Sequence, residues 1–271
     1  MLKTRVITAL VLLAILLPVL FLNNFFAFAV VTLAFFAAGV WEGLRLFRLS
    51  RPELWAGFWS VGYAIVVFVS GLPSVRGLFA VCVALWAIRF VPALKLGLPP
   101  LDTAANRLLS ITYTLALLGC FIAIVSLFQH SPLYLLSVMA IVWLADIGAY
   151  FAGKGFGRHK LAPSISPGKS WEGAVGGWLV VLVAAAAVVM YLDGDTFPGR
   201  LYGRFGWPGF IVVMSLLVAT SVVGDLFESQ LKRRASVKDS SSLLPGHGGV
   251  LDRIDALIPV LPLAALIDLW L

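Results

Sequence analysis

The sequence predicts an all-α, polytopic integral membrane protein of about nine transmembrane helices with a cytoplasmic N-terminus, and three observations predict it. Of its 271 residues, 61% are hydrophobic and only 12% charged; a soluble domain carries about 25% charged residues, so its surface would go unsolvated in water. The apolar residues fall into runs long enough to cross a bilayer, which takes about 20 residues with roughly 17 to 25 tolerated. The basic residues fall almost entirely on one side of those runs.

Taken in order, the runs cover residues 6–22 and 25–41, separated by Asn23-Asn24, then 54–71 and 76–92, broken by Leu72-Pro73-Ser74. Residues 108–128 and 132–152 follow, split by Gln129-His130-Ser131, and 173–192, 207–228 and 250–270 complete the set. Lys3 and Arg5, the first run and Ala27-Phe28-Ala29 have the outline of a signal peptide. That run is longer than a signal-peptide core and leads straight into more apolar sequence, so an uncleaved span is expected. The last run contains Asp255, Pro259, Pro262 and Asp268, which predicts a kink.

With nine spans and the N-terminus inside, 17 of the 20 basic residues lie on the cytoplasmic side, and only Arg76, Arg200 and Arg204 fall outside. Such a split fixes the direction of insertion. It also explains the net charge of +7 without nucleic acid, because basic residues flank membrane spans. The two polar loops, 153–172 and 229–249, then face the cytoplasm. Cys82 and Cys120 sit inside apolar runs and read as small buried hydrophobes, neither a disulfide framework nor a metal site.

No internal repeat is visible, but the halves differ. Before residue 145 the spans carry almost no ionisable groups, whereas three later spans end in carboxylates. One membrane unit is expected, with N-terminal helices over 1–130 and a catalytic part over 131–271.

Chemistry concentrates in that second part. Asp146 lies in or at the end of the sixth span, where a charge is rare unless it pairs, binds an ion or lines water. The loop after it holds Lys154, Gly157, Arg158, His159 and Lys160, then Ser166-Pro-Gly-Lys169-Ser170-Trp171-Glu172-Gly173. Its glycines let backbone N–H groups approach an anion and its cations suit polyphosphate; His159 reads as structural or solvated. On a helix, Asp225, Glu228, Ser229 and Lys232 share one face. Downstream, Pro245-Gly246-His247-Gly248-Gly249 forms a tight turn, and Asp252 and Asp255 project together from the head of the last span. Five carboxylates within about thirty residues, interleaved with Lys232, Lys238 and Arg253, are the hard oxygen donors and cations that Mg²⁺-nucleotide chemistry uses. Walker, kinase, zinc and serine-nucleophile motifs are absent.

The run Ser229-x-Leu231-Lys232-Arg233, four residues, Lys238-Asp239, then Leu244-Pro245-Gly246-His247-Gly248-Gly249-x-x-Asp252-Arg253-x-Asp255 resembles the signature of the phosphatidate cytidylyltransferases, or CDP-diacylglycerol synthases, of bacterial type. Asp146-Ile-Gly-Ala-Tyr150-Phe and Ser166-Pro-x-Lys-x-Trp-Glu-Gly173 are similar to that family too, so the resemblance covers roughly residues 140 to 260. Two departures stand out: Gly168 where members often have a second lysine, and Ser240-Ser241-Ser242 where they often have a glycine.

The resemblance implies a Mg²⁺-dependent reaction of CTP with phosphatidate giving CDP-diacylglycerol and pyrophosphate, in a bacterial inner membrane and in a homodimer. On that basis Asp225 and Asp252 are expected to lead metal coordination, with Glu228, Asp239 and Asp255 as further ligands, leaving open a second cation. Lys232, Lys238, Arg253 and Lys169 would hold phosphates. The turn with His247, Gly248 and Gly249 would line the α-phosphate or the cytidine. Asp146 and Glu172 would form the floor, with Ser170, Ser229 and Arg233 beside the substrate. Two rivals stand against this reading. A CTP-dependent lipid-alcohol kinase shares the helices and carboxylates but transfers the γ-phosphate, and an ion-coupled transporter would use intramembrane carboxylates within inverted repeats.

Overall fold

A computed structural model describes residues 2–22, 24–70, 76–192 and 194–271. The chain is an all-α polytopic membrane protein with one short hairpin. Its helices are α1 (Leu2–Phe21), α2 (Phe25–Leu46), α3 (Pro52–Ile65, prolonged by the π-helical turn Val66–Ser70), and α4 (Arg76–Leu85) joined through the π-helical turn Trp86–Phe90 to α5 (Val91–Leu96). Next come α6 (Ala104–His130), α7 (Pro132–Phe156), the strands β1 (Lys160–Ala162) and β2 (Ser166–Ser170), α8 (Trp171–Tyr191), α9 (Phe197–Arg234), α10 (Leu251–Ile254) and α11 (Leu257–Asp268). Among the described residues seven helices are long and apolar enough to cross a membrane, from Phe25–Leu46 through Phe197–Arg234. They correspond to the second through eighth predicted runs. Asn23 and Gly71 to Ser74, where two predicted breaks fall, lie outside the described residues.

The polar residues between runs act as caps. Asn24 accepts from the Ala27 N–H at 3.0 Å, Thr103 from Asn106 at 3.2 Å, Ser131 from Tyr134 at 3.0 Å and Ser170 from Gly173 at 3.1 Å. Each satisfies a helix N-terminal donor that has no partner within its own helix. The eighth run starts where predicted, because Gly206 (φ 62°) breaks the helix ahead of Pro208, although helix resumes upstream to Phe197. The loop expected over 153–172 contains an antiparallel ribbon, Lys160 opposite Ser170 and Ala162 opposite Ser166. Pro163 turns that ribbon, with the Ile165 N–H donating to the Ala162 carbonyl at 3.1 Å.

The last predicted span is not one straight helix. Pro259 has no N–H for the Asp255 carbonyl, so the hydrogen-bond ladder opens between α10 and α11. At about 1.5 Å per residue, the twelve residues of α11 reach only some 18 Å.

Helices α6 and α11 form the buried centre of the bundle. Around them, α7 and α8 make the closest pair. A Cβ on Gly148 would lie 2.9 Å from the Gly177 Cα, and one on Gly173 2.9 Å from the Ala149 carbonyl oxygen. These small residues let two backbones touch, which is how helices gain packing energy in lipid. Cys82 and Cys120 are free and buried, as expected.

Polar contacts gather at the two ends. At one, Asp268 accepts from Tyr134 at 2.5 Å and meets His130 at 2.8 Å, while Arg200 donates to Asp195 at 2.6 and 2.7 Å and holds that carboxyl below the usual carboxylate range. At the other, Asn106 donates to the carbonyls of Phe47 and Leu101 at 2.9 and 2.7 Å, and Arg234 to that of Pro99 at 3.0 Å. The hairpin and the 235–250 loop share this second end.

The α7–α8 contact predicts a test. Gly177→Leu drives a side chain into the Ala145 carbonyl and is expected to lower stability by about 1 to 3 kcal/mol. Gly62→Leu, at a position with nothing within 4 Å, is expected to leave it unchanged. Thermal denaturation of both proteins in detergent reads the difference.

Candidate active site

Helix α9 emerges from the bundle carrying Asp225, Glu228, Ser229 and Lys232, and its 3.6-residue period sets them on one face. Lys232 stands between two carboxylates, in ion contact with Glu228 and donating to Asp252 Oδ1 at 2.7 Å. Glu228 is fully buried. One turn earlier, Ser229 donates to Asp225 Oδ1 at 3.3 Å, and Lys169 from β2 reaches Asp225 Oδ2 at 2.5 Å. The hairpin thus exists to deliver a lysine onto α9.

Asp252 does more than meet Lys232. Its Oδ2 accepts from the Ser240 N–H at 2.8 Å, the Ser240 hydroxyl at 2.9 Å and the Gly249 N–H at 2.8 Å. These bonds fold the 235–250 loop back onto α10, which lies outside the seven spans. Burial disfavours the Asp252 charge, but Lys232 and the N–H donors outweigh it and hold the carboxyl below its ordinary value.

The loop has a second anchor, Glu42 on α2, which the sequence reading did not single out. Glu42 is fully buried. Its Oε1 accepts from the Ser241 hydroxyl at 2.5 Å and the Val250 N–H at 3.0 Å, its Oε2 accepts from the Leu251 N–H at 2.7 Å, and the Ser240 hydroxyl, 3.1 Å from Oε2, shares its single proton between Glu42 and Asp252. It therefore supplies acceptors at the start of α10, where donors are otherwise unpaired. A signal was present, since a lone carboxylate flanking an apolar run is rare for the same reason as Asp146. The second run ends at Trp41, one residue short of Glu42.

The Pro245–Gly249 turn is tight as expected, with Gly246 and Gly248 at φ 78° and 84°. Its donors are partly committed: His247 N–H goes to the Leu244 carbonyl at 2.8 Å and Gly249 N–H to Asp252. A side chain at Gly248 would strike Asp252, and one at Gly249 would strike Ser240 and Glu42. The turn's glycines are thus required by packing. Arg253 donates to the His247 carbonyl at 2.7 Å, and Thr8 of α1 to that of Pro245 at 2.8 Å.

Beside this network lies a cavity of about 400 Å³, lined by Asp146, Lys154, Lys169, Ser221 and Asp225 together with apolar residues of α7, α8 and α9. Asp146, Lys169 and Asp225, far apart in sequence, therefore face one space. Asp255, at the end of α10, accepts from the Ala256 N–H at 2.7 Å. Other predicted site residues take different places. Glu172 binds the loop before the hairpin, accepting from the Arg158 and His159 N–H groups at 3.1 and 3.2 Å and meeting the His159 ring at 2.6 Å. Ser170 is committed as the α8 cap. Arg233, Lys238 and Asp239 are exposed.

Among the described residues no three carboxylates converge into a ready-made cage for a metal. The donor set nevertheless fits Mg²⁺, which keeps several waters and takes one or two carboxylates plus phosphate oxygens. Both Glu228 oxygens are buried without a hydrogen bond despite the Lys232 ion contact, and Asp225 lines the cavity. Asp252 fits less well than the sequence suggested. A carboxylate offers about four acceptor sites, and Asp252 already takes four donated bonds.

Comparison with known proteins follows this geometry. Residues 3–270 match the model of the cytidylyltransferase family. A phosphatidate cytidylyltransferase of Haemophilus influenzae is 38% identical over 97% of this chain and 96% of its own length. One of Pseudomonas aeruginosa is 39% identical over 100% of this chain and 97% of its own. One of Staphylococcus aureus is 44% identical over 48% of the chain and 46% of its own length.

Glu42→Ala leaves the Val250 and Leu251 N–H groups without acceptors at about 1 to 3 kcal/mol each. Hydrogen exchange is expected to accelerate across 238–251 while α7 and α8 keep their protection. Unchanged exchange in the loop would show that Glu42 does not anchor it.

Proposed function

The chain belongs to the cytidylyltransferase family, and from that premise we propose that it converts CTP and phosphatidate into CDP-diacylglycerol and pyrophosphate, with Mg²⁺, on the cytoplasmic face of a bacterial inner membrane. The observation that carries this reading is the meeting of Lys169, Asp146 and Asp225 at one cavity beside the Lys232–Asp252 network. The basic split of the sequence supports the cytoplasmic orientation.

In the reaction an oxygen of the lipid phosphate forms a bond to the α-phosphorus of CTP, and the bond from that phosphorus to the bridging β-phosphate oxygen breaks. The attacking group is a phosphate monoester, already an anion near neutral pH, so no strong base is required. Bringing two polyanions together requires alignment and neutralisation instead. Asp225 and Asp255 would hold Mg²⁺, with Glu228 next to them, and the ion would supply that neutralisation on the triphosphate. Lys169 exchanges its Asp225 partner for a phosphate and steadies the departing pyrophosphate. Lys232, fixed on both sides, holds Asp252 and Glu228 in register. Asp252 is a positioning residue: it orders the loop through Ser240 and Gly249. The apolar walls of the cavity keep water from competing for the α-phosphorus.

Purified protein is expected to convert CTP labelled in the cytidine and phosphatidate into a lipid-extractable product, and EDTA is expected to abolish this. Asp225→Asn and Asp255→Asn are each expected to lower turnover about 100-fold or more. Lipid labelled from the γ-phosphate instead would identify a kinase, and absence of any lipid product would refute the proposed reaction.

A further inference from the structure

A second cavity, of about 710 Å³, opens at the same end of the bundle between α2, α3 and α6. It shares no lining residue with the cavity at Asp225. Its polar lining includes Arg48, Arg107 and Asp102, and its apolar lining includes Trp55 and Trp59. Among the described residues none of these three charges has an opposite charge within 4 Å. Arg48 takes the left-handed backbone (φ 52°) that ends α2, with the Arg48 and Leu49 N–H groups donating to the Arg45 and Leu44 carbonyls at 2.9 and 3.2 Å, and this cap places the arginine at the cavity.

We propose that this cavity binds one membrane glycerophospholipid, holding the head-group phosphate between Arg48 and Arg107 and a head-group amine at Asp102. Arginine's planar fork suits a phosphate diester. Asp102 would repel a purely anionic head and attract an ammonium, so a zwitterionic, amine-bearing lipid satisfies all three charges. The volume lies within the usual range for ligand sites, about 300 to 1,000 Å³. Trp55 and Trp59 mark the depth of the membrane interface, where indoles are enriched. Beyond them the outer surfaces of Leu54 and Phe58 (64% and 67% exposed) give the acyl chains an apolar track into the bilayer. The site stands apart from the reaction centre and lies on the other side of α2. Leu44 lines this cavity, while Glu42, two residues earlier, anchors the catalytic loop.

Native mass spectrometry of the full-length protein in detergent tests the assignment, with dioleoylphosphatidylethanolamine, dioleoylphosphatidylglycerol and inorganic phosphate as probes. One phosphatidylethanolamine is expected to bind per chain in preference to phosphatidylglycerol, and millimolar inorganic phosphate is expected not to displace it. Arg48→Ala combined with Arg107→Ala is expected to weaken binding about tenfold. Asp102→Asn, which keeps both arginines, is expected to erase the preference between the two lipids. Lys169→Ala, in the other cavity, is expected to leave binding intact. Unchanged affinity in the double variant, displacement by phosphate, a lipid preference indifferent to Asp102→Asn, or loss with Lys169→Ala would each overturn the proposal.

Discussion

A single fully buried carboxylate, Glu42, joins the N-terminal helices to the 235–250 loop. From it a continuous chain of polar contacts runs through Ser240 to Asp252, then to Lys232 and Glu228. The chain links α2, the 235–250 loop, α10 and α9. Half of the loop's residues are serine, glycine or proline, and of its larger apolar side chains only Val250 is buried, so polar contacts do most of the docking. Where the loop is buried, at Ser240, Gly249 and Val250, its backbone must find partners inside the protein, and Glu42 and Asp252 provide them. Because both are carboxylates, each takes several donors at once, something no apolar contact reproduces.

The same arithmetic organises the charges. Asp225, Glu228, Asp252 and Asp255 lie near one another, and like charges so placed in a weakly polarisable setting repel strongly. Lys169 and Lys232 interleave with them, each touching one or two carboxylates. The two lysines differ in consequence. Lys232 is confined between partners on two elements, so moving it would strand two buried charges, and breaking such a pair costs about 3 to 5 kcal/mol. Lys169 has one partner and lines the cavity, so it can pass to an incoming phosphate at lower cost. The proposed division between a fixed and a mobile cation follows from that count of partners.

Much of this was legible in the sequence, and what was hidden has a common cause. Spans were readable because lipid demands about 20 apolar residues, whereas the cap role of Ser170, a residue expected beside the substrate, came only from the structure. The face shared by Asp225, Glu228, Ser229 and Lys232 was readable because helical periodicity is local. Contacts between distant segments were not: Lys169 with Asp225, and Glu42 with Leu251, depend on helix packing that no periodicity records. Glu172 shows what a motif leaves unsaid. It sits in a motif dense with functional residues, yet its carboxylate is spent on two backbone N–H groups and on His159. Composition names the groups able to do chemistry, whereas only geometry shows which retain free lone pairs.

The bend in the last helix shows how a backbone defect can place a reactive side chain. Pro259 cannot bond the Asp255 carbonyl, so that oxygen is left pointing outward from the helix. Gly224 on α9 faces it, where a Cβ would lie 2.6 Å from the oxygen and 2.8 Å from the Pro259 ring. Only glycine permits that approach. The next residue along α9 is Asp225, and the residue at the bend is Asp255, so the close contact of the two backbones also brings the two carboxylates near one another. A larger residue at 224 would separate the helices and, with them, both acids. The site's spacing is therefore set one residue away from the chemistry, by a missing hydrogen and a missing methyl group.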